Sequence, residues 1–154
     1  MVLAAKAAVV SVITLTVGLI SALVSFTAGQ AILSRQHIGI SLGHPGAVRA
    51  IIATAVFLVA AALIGLGLGA LIRNAAGALT AVVALLFLAP SFLHGTSSWV
   101  IDISNALPAN AIRRLASLQP WQNAPSMTEA IFVVIIYPVV VLASAAYVIH
   151  RRDA

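Results

Sequence analysis

The chain has 154 residues, of which 62% are hydrophobic and only 7% are charged. Soluble domains have about 25% charged residues, so this composition excludes an ordinary soluble domain. Cysteine is absent, which excludes disulfides and thiolate metal sites. The eight basic residues give a formal charge of +5 but lie scattered at the ends of apolar runs. We therefore predict that they anchor helices in a lipid bilayer, and we predict no nucleic-acid binding.

Four long apolar runs predict an all-α integral membrane fold, with residues 1–154 forming a single transmembrane domain. The predicted spans cover about residues 7–33, 50–72, 75–93 and 130–149. The first run is longer than the apolar region of a signal peptide, so we expect an uncleaved helix; cleavage near Ala28 is the alternative. Four spans place both termini on one side of the membrane. The basic residues divide equally between the two sides, so charge alone leaves the orientation open.

The second and third spans are joined by only two polar residues, Arg73 and Asn74. Two membrane-length helices with so short a link must fold back as an antiparallel hairpin. Gly65 and Gly69 continue a pattern of small residues that starts at Ala61, and such patterns let two helix backbones approach closely. No Lys-Ser/Thr pair follows the glycines, so the sequence does not indicate a phosphate-binding loop.

A seam of small and hydroxylated residues runs along the first span at spacings of three and four. It includes Ser11, Thr14, Gly18, Ser21 and Ser25. If the seam keeps its heptad repeat, these residues share one helix face. We interpret the seam as a helix-packing face, because no ionisable residue joins it. The alternative is that its hydroxyl groups line a polar route through the membrane.

The longest region outside the spans lies between the third and fourth of them, over about residues 95–128. Pro108 can open a short helix there, in which Arg113 and Arg114 point away from an apolar face. That face would contain Ile112, Leu115 and Leu118. The pattern predicts an amphipathic segment along the membrane surface. It would either gate a lateral exit or cover the end of the bundle.

His94 and Asp102 are the residues that invite a search for a catalytic site. No nucleophile motif accompanies them, no carboxylates are placed as an acid–base pair, and no residues have metal-ligand spacing. We therefore predict that the chain is not an enzyme and holds no cofactor or metal. An intramembrane enzyme would require that activity depend on His94 or Asp102.

Four stretches of the sequence together resemble a known family of membrane proteins. They are residues 41–50, 65–79, 85–90 and 107–111. The resemblance is to permease subunits of type-two ATP-binding-cassette exporters, in particular to actinobacterial members. It covers nearly the whole chain, which corresponds to the last four of the six spans that are usual in this family.

The resemblance implies a permease subunit, or the C-terminal part of one, in the bacterial plasma membrane. It implies a separate ATPase subunit as partner, together with a second permease copy or the missing N-terminal spans. It places the Arg73 turn and both termini in the cytoplasm, so the amphipathic segment becomes extracytoplasmic. ATP binding by the partner would then drive a substrate outward. The alternative is a small structural or regulatory multi-pass membrane protein, such as a truncated permease remnant, without transport activity.

Overall fold

Four helices in the structure are long and apolar enough to cross a membrane. The structure is a computed structural model that describes residues 2–34, 43, 45–72, 74–92, 97–117 and 122–152. Every regular element within these residues is a helix, and none is a strand. The prediction of an all-helical fold is therefore confirmed for the described residues, and the length and composition of the four helices support a multi-pass membrane protein.

The described residues form six helices, which follow one another along the chain. The four long ones are α1 (Val2–Leu33), α2 (Pro45–Ile72), α3 (Ala75–Phe92) and α6 (Met127–Arg152). Two short ones, α4 (Ser98–Asn105) and α5 (Pro108–Ala116), come between α3 and α6. The region that was predicted to carry one short helix therefore carries two.

The second long helix, α2, is the centre of the bundle, because it contacts α1, α3, α5 and α6. It begins at Pro45, in a Pro-Gly pair whose composition is typical of a turn. Proline suits the first helical position, since the N–H that it lacks would have no partner there. The buried side chains of α2 are mostly small, among them Ala53, Ala55 and Ala60. Small side chains allow several helices to pack closely around one.

The helices α2 and α3 form the predicted antiparallel hairpin. Gly65 of α2 lies opposite Val82 of α3, and the two residues are at a similar distance along their helices from the turn. Asn74 caps α3: its Oδ1 atom accepts a hydrogen bond of 3.0 Å from the backbone N–H of Ala76. A capping side chain of this kind satisfies an amide that has no partner within the helix. Arg73 lies outside the described residues.

The third span contains a π-helical turn over Ala84–Leu88, in which the N–H of Ala89 donates to the carbonyl of Ala84. Pro90 follows within the next helical turn. Proline has no N–H, and its ring clashes with the carbonyl four residues earlier in a regular α-helix. A wider turn just before Pro90 relieves that clash, so the helix continues to Phe92.

The last helix, α6, begins with a reciprocal pair of hydrogen bonds. The N–H of Ser126 donates to Glu129 Oε2 over 2.8 Å, and the N–H of Glu129 donates to Ser126 Oγ over 3.2 Å. This arrangement is a capping box. Farther along, Gly67 of α2 faces Val141 of α6, while Ala60 of α2 shares a buried cluster with Val134. Residue numbers rise together in both pairs, so α2 and α6 run parallel.

Candidate functional site

The short helix α5 is inserted among the long helices. Ala111 of α5 is fully buried, in one cluster with Ala60 of α2 and with Ala130 and Val134 of α6. Ala60 lies about 22 Å from the start of α2, at about 1.5 Å per residue. The cluster therefore lies roughly halfway along α2, but Ala130 is only the fourth residue of α6, so the cluster is near the end of the bundle at which α6 begins. Alanine has the smallest side chain that still favours a helix, which allows three backbones to converge here.

The second half of the turn between α4 and α5 is buried as well. Leu107 is 7% exposed, and Pro108 is among the most deeply buried side chains. Asn110 of α5 holds α4 in place: its Nδ2 donates to the carbonyl of Ser104 over 2.9 Å and to Ser104 Oγ over 2.7 Å. These bonds supply partners for polar groups next to a buried turn, where unpaired groups would be costly. The two short helices thus behave as one unit, which we call the inserted pair (residues 98–117).

Two arginines form hydrogen bonds that connect the C-terminal part of α5 to α2 and to the segment before α6. Arg49 in α2 donates from Nη2 to the carbonyl of Ser117 over 2.6 Å, just after the end of α5. Arg114 in α5 donates from Nε to the carbonyl of Pro125 over 2.9 Å, just before α6. The carbonyls at a helix C-terminus have no partner in the helix and carry partial negative charge, so a guanidinium suits them. The inserted pair is therefore bound to both α2 and α6.

The short helix that was predicted to begin at Pro108 is α5, but its inward face differs from the predicted apolar face; a position along the membrane surface stays a prediction. The inward face of α5 contains Pro108, Ala111 and Leu115, whereas the predicted apolar face contained Ile112, Leu115 and Leu118. The reason is that the backbone of α5 approaches α2 and α6 closely only where its side chains are small. The predicted face was instead defined by large apolar side chains. Leu118 lies outside the described residues. Arg113 is exposed, as the amphipathic pattern predicts.

The hydroxylated seam of α1 divides into two halves. Ser11 donates to the carbonyl of Ala7 over 2.7 Å, and Thr14 donates to the carbonyl of Val10, so both hydroxyls are bonded within the helix. Gly18 is buried against α2: a methyl group added there would lie 3.2 Å from Ala55 Cα. The contact of α1 with α2 therefore includes Gly18, and Ser11 and Thr14 before it are partly buried.

Ser21 and Ser25, in the second half of the seam, are exposed. After Gly18 the less exposed face of α1 continues through Ala22 and Phe26 instead. After Gly18 the less exposed residues therefore follow a spacing of four, and they do not follow the heptad repeat.

The three glycines of α2 differ in how closely another helix approaches them. A methyl group added at Gly65 would lie 3.8 Å from Val82 Cγ2, which is ordinary contact, and one added at Gly69 would meet nothing within 4 Å. The close approach is at Gly67, where an added methyl group would lie 2.6 Å from Val141 Cγ1 and 3.2 Å from the Val141 carbonyl carbon and oxygen. The spacing of four residues from Ala61 selects Gly65 and Gly69 and omits Gly67, so the sequence pattern favoured the two glycines that make no close contact.

Of the two candidate catalytic residues, Asp102 is exposed on α4. His94 lies outside the described residues. Within the residues that the structure describes, no group of three or more His, Cys, Asp or Glu side chains is placed to hold a metal ion. The structure does bring Ala60, Ala111 and Ala130 into one buried cluster. Arg49 and Arg114 connect α5 to α2 and to the segment before α6.

Comparison with known proteins identifies no relative. No protein-family model matches the chain, and neither a curated protein nor a solved structure matches it. The functional arguments below therefore depend on the geometry of the bundle and on the chemistry of its residues.

Proposed function

We propose that this chain is the membrane-spanning permease subunit, or the C-terminal part of one, of an exporter that a separate ATPase subunit drives. The observation that carries the proposal is the inserted pair. A bundle that served only as an anchor would need no short helices packed between the long ones. The turn before Pro108 is non-helical backbone, and within the hydrocarbon region such backbone is tolerated only where it is buried in protein or lines a cavity.

The connections of the inserted pair suit a moving part. Arg49 ties it to α2, and Arg114 ties it to the segment that leads into α6. Helix α5 also contacts the π-helical turn of α3, and such turns are frequent at functional sites. A displacement of α2 relative to α6 would thus shift α5 and open or close a path beside it. In this mechanism ATP binding by the partner supplies the displacement, and a substrate leaves on the side of the inserted pair.

The outer face of α1 is the surface on which we propose that further spans dock. Among the described helices, α1 packs extensively on α2 alone. The side chains of Val9, Val12 and Ile20 are more than half exposed. Lipid can cover such a face, and so can helices of a second permease copy or the two N-terminal spans that the exporter architecture requires. Exposed Ser21 and Ser25 lie on this helix as well, where they would contact those spans.

Affinity purification from native membranes tests the proposal. The tagged chain is extracted in a mild detergent, and co-purifying proteins are quantified by mass spectrometry. We expect an ATPase subunit at a level comparable with that of the chain, together with the additional spans on this or another polypeptide. An unrelated four-span protein with the same tag is the control. A stable chain that brings down no ATPase above that control would contradict an exporter function.

The proposed orientation is testable because the chain has no native cysteine. Gln122, before α6, and Ala75, at the start of α3, are both exposed and lie at opposite ends of the bundle. We expect a membrane-impermeant maleimide to label Gln122→Cys in intact cells and to label Ala75→Cys only after the cells are permeabilised. The reverse pattern would place the termini outside and the inserted pair in the cytoplasm, which would contradict the orientation.

A structural or regulatory membrane protein without transport activity is the second candidate. It is favoured by one observation: Ser11 and Thr14 donate to carbonyls of their own helix, and Gly18 beside them is buried against α2. These observations support the interpretation of this half of the seam as a packing face. Co-purification of a larger membrane complex without any ATPase would support this candidate.

A further inference from the structure

An apolar groove runs along the surface of the bundle between α2, α5 and α6. Its walls include Val48, Ile52 and Val56 of α2, Leu115 of α5, and Ile131 and Ile135 of α6. Its volume is about 540 Å³, within the range of about 300–1,000 Å³ that is typical of ligand sites. Ile52 and Ile135 are about half exposed, so the groove opens sideways, toward the surroundings of the bundle. In a membrane-spanning bundle those surroundings are lipid.

One cation lies in this apolar lining. Arg49 is the only charged residue of α2, and it belongs to the second turn of the helix. Its Nη2 donates to the Ser117 carbonyl, while its buried Nε atom has no hydrogen-bond partner among the residues that the structure describes. A guanidinium has five N–H donors, so a neutral carbonyl leaves both its charge and part of its donor capacity unmatched. An anionic acceptor with several oxygens would match both.

The positions of the charge and of the apolar walls fit an amphiphile. If α2 spans the bilayer, Arg49 lies near the membrane boundary, and the groove extends from it toward Ile135 near the bilayer interior. A small soluble anion would leave the apolar walls unused. An apolar helix of another protein would leave the guanidinium without a counter-charge. We propose that the groove binds an anionic phospholipid, with its phosphate at Arg49 and one acyl chain along α2 and α6.

Photo-crosslinking in vesicles tests this proposal. The purified chain is reconstituted with a trace of phosphatidylglycerol that carries a photoactivatable group in its acyl chain, and the labelled peptides are mapped by mass spectrometry. We expect labels on the lining residues Ile52, Val56, Ile131 and Ile135. Arg49→Gln should reduce the labelling about fivefold, because one basic group near a membrane surface has an effect of that size on an anionic lipid.

Matched variants separate the proposal from general attraction to a basic surface. Arg113→Gln removes the same charge from an exposed position on α5 and should leave the groove labelling unchanged. Val56→Trp fills the groove without changing Arg49 and should abolish the labelling. This variant tests the proposal independently if Arg49→Gln fails to fold. The folded state of each variant is checked by its helical circular dichroism and its unfolding temperature.

Three results would overturn the proposal. The first is equal labelling by the matching phosphatidylcholine probe, which would show an apolar groove without charge recognition. The second is an equal loss of labelling in Arg49→Gln and Arg113→Gln. The third is an absence of lipid labelling at the lining residues of the folded original chain, which would show that lipid does not occupy the groove. None of these results depends on transport activity, so the proposal can fail or stand separately from the exporter function.

Discussion

Gly67→Ala should lower the stability of the bundle by about 1–3 kcal/mol, because the added methyl group enters occupied space. It would lie 2.6 Å from Val141 Cγ1 and 3.2 Å from the backbone carbonyl of the same residue. The side chain of Val141 can rotate, but its backbone can move only if α6 moves away from α2. For a chain of this size the unfolding temperature should fall by several degrees, at roughly 2–4 °C per kcal/mol.

Gly69→Ala is the matched control for this prediction. It makes the same chemical change two positions later, where nothing lies within 4 Å of the added methyl group. Alanine favours a helix over glycine by up to about 1 kcal/mol, so this variant should be as stable as the original or more stable. Unfolding of both variants is followed by helical circular dichroism in the same detergent. Equal shifts in the two variants would contradict the close contact between α2 and α6.

Val141→Ala provides a second check on the same contact. It removes Cγ1, the atom nearest to the added methyl group, but leaves the Val141 carbonyl 3.2 Å away. The double variant Gly67→Ala/Val141→Ala should therefore recover part of the lost stability, relative to the sum of the two single effects. Full additivity of the two substitutions would mean that these residues do not interact.

Ala111→Leu should have a still larger effect, because Ala111 is fully buried where α2, α5 and α6 meet. Three more carbon atoms have no space between Ala60, Ala130 and Val134. We expect a loss of about 3 kcal/mol or more, the upper part of the range for overpacking, and displacement of α5 from the bundle. The four long helices should persist, because each is apolar over a membrane-spanning length.

Amide hydrogen exchange provides a readout specific to α5 for this prediction. Displaced helices open more often, so the amides of α5 should exchange faster in Ala111→Leu, while those of α2 change less. Ala106→Leu is the control, since Ala106 is exposed in the turn that precedes α5. Comparable exchange of α5 in both variants would contradict the insertion of this helix. In the proposed exporter, Ala111→Leu should also abolish transport.

The sequence by itself determined the membrane spans and the hairpin. Spans follow from length and composition, since the bilayer core requires about 20 apolar residues from each crossing helix. The two-residue link at Arg73 and Asn74 leaves no connection other than an antiparallel one. Asn74 as helix cap and Ser126 with Glu129 as capping box are equally local, because their partners lie within three residues along the chain. The exporter function and the orientation stay predictions.

Only the tertiary structure decided which of the small residues make close contacts. Gly65 and Gly69 continue the small-residue pattern from Ala61, yet the close contact is at Gly67, because Val141, more than seventy positions later, lies against it. The insertion of α5 likewise depends on Ala60, Ala111 and Ala130 meeting from three helices. Periodicity identifies the face of a helix, but it contains no information about the helix that packs there. Within a membrane every outward helix face is apolar, so hydrophobicity does not select the packing partner. The partner is selected by how closely two helix surfaces fit, which depends on the assembled structure.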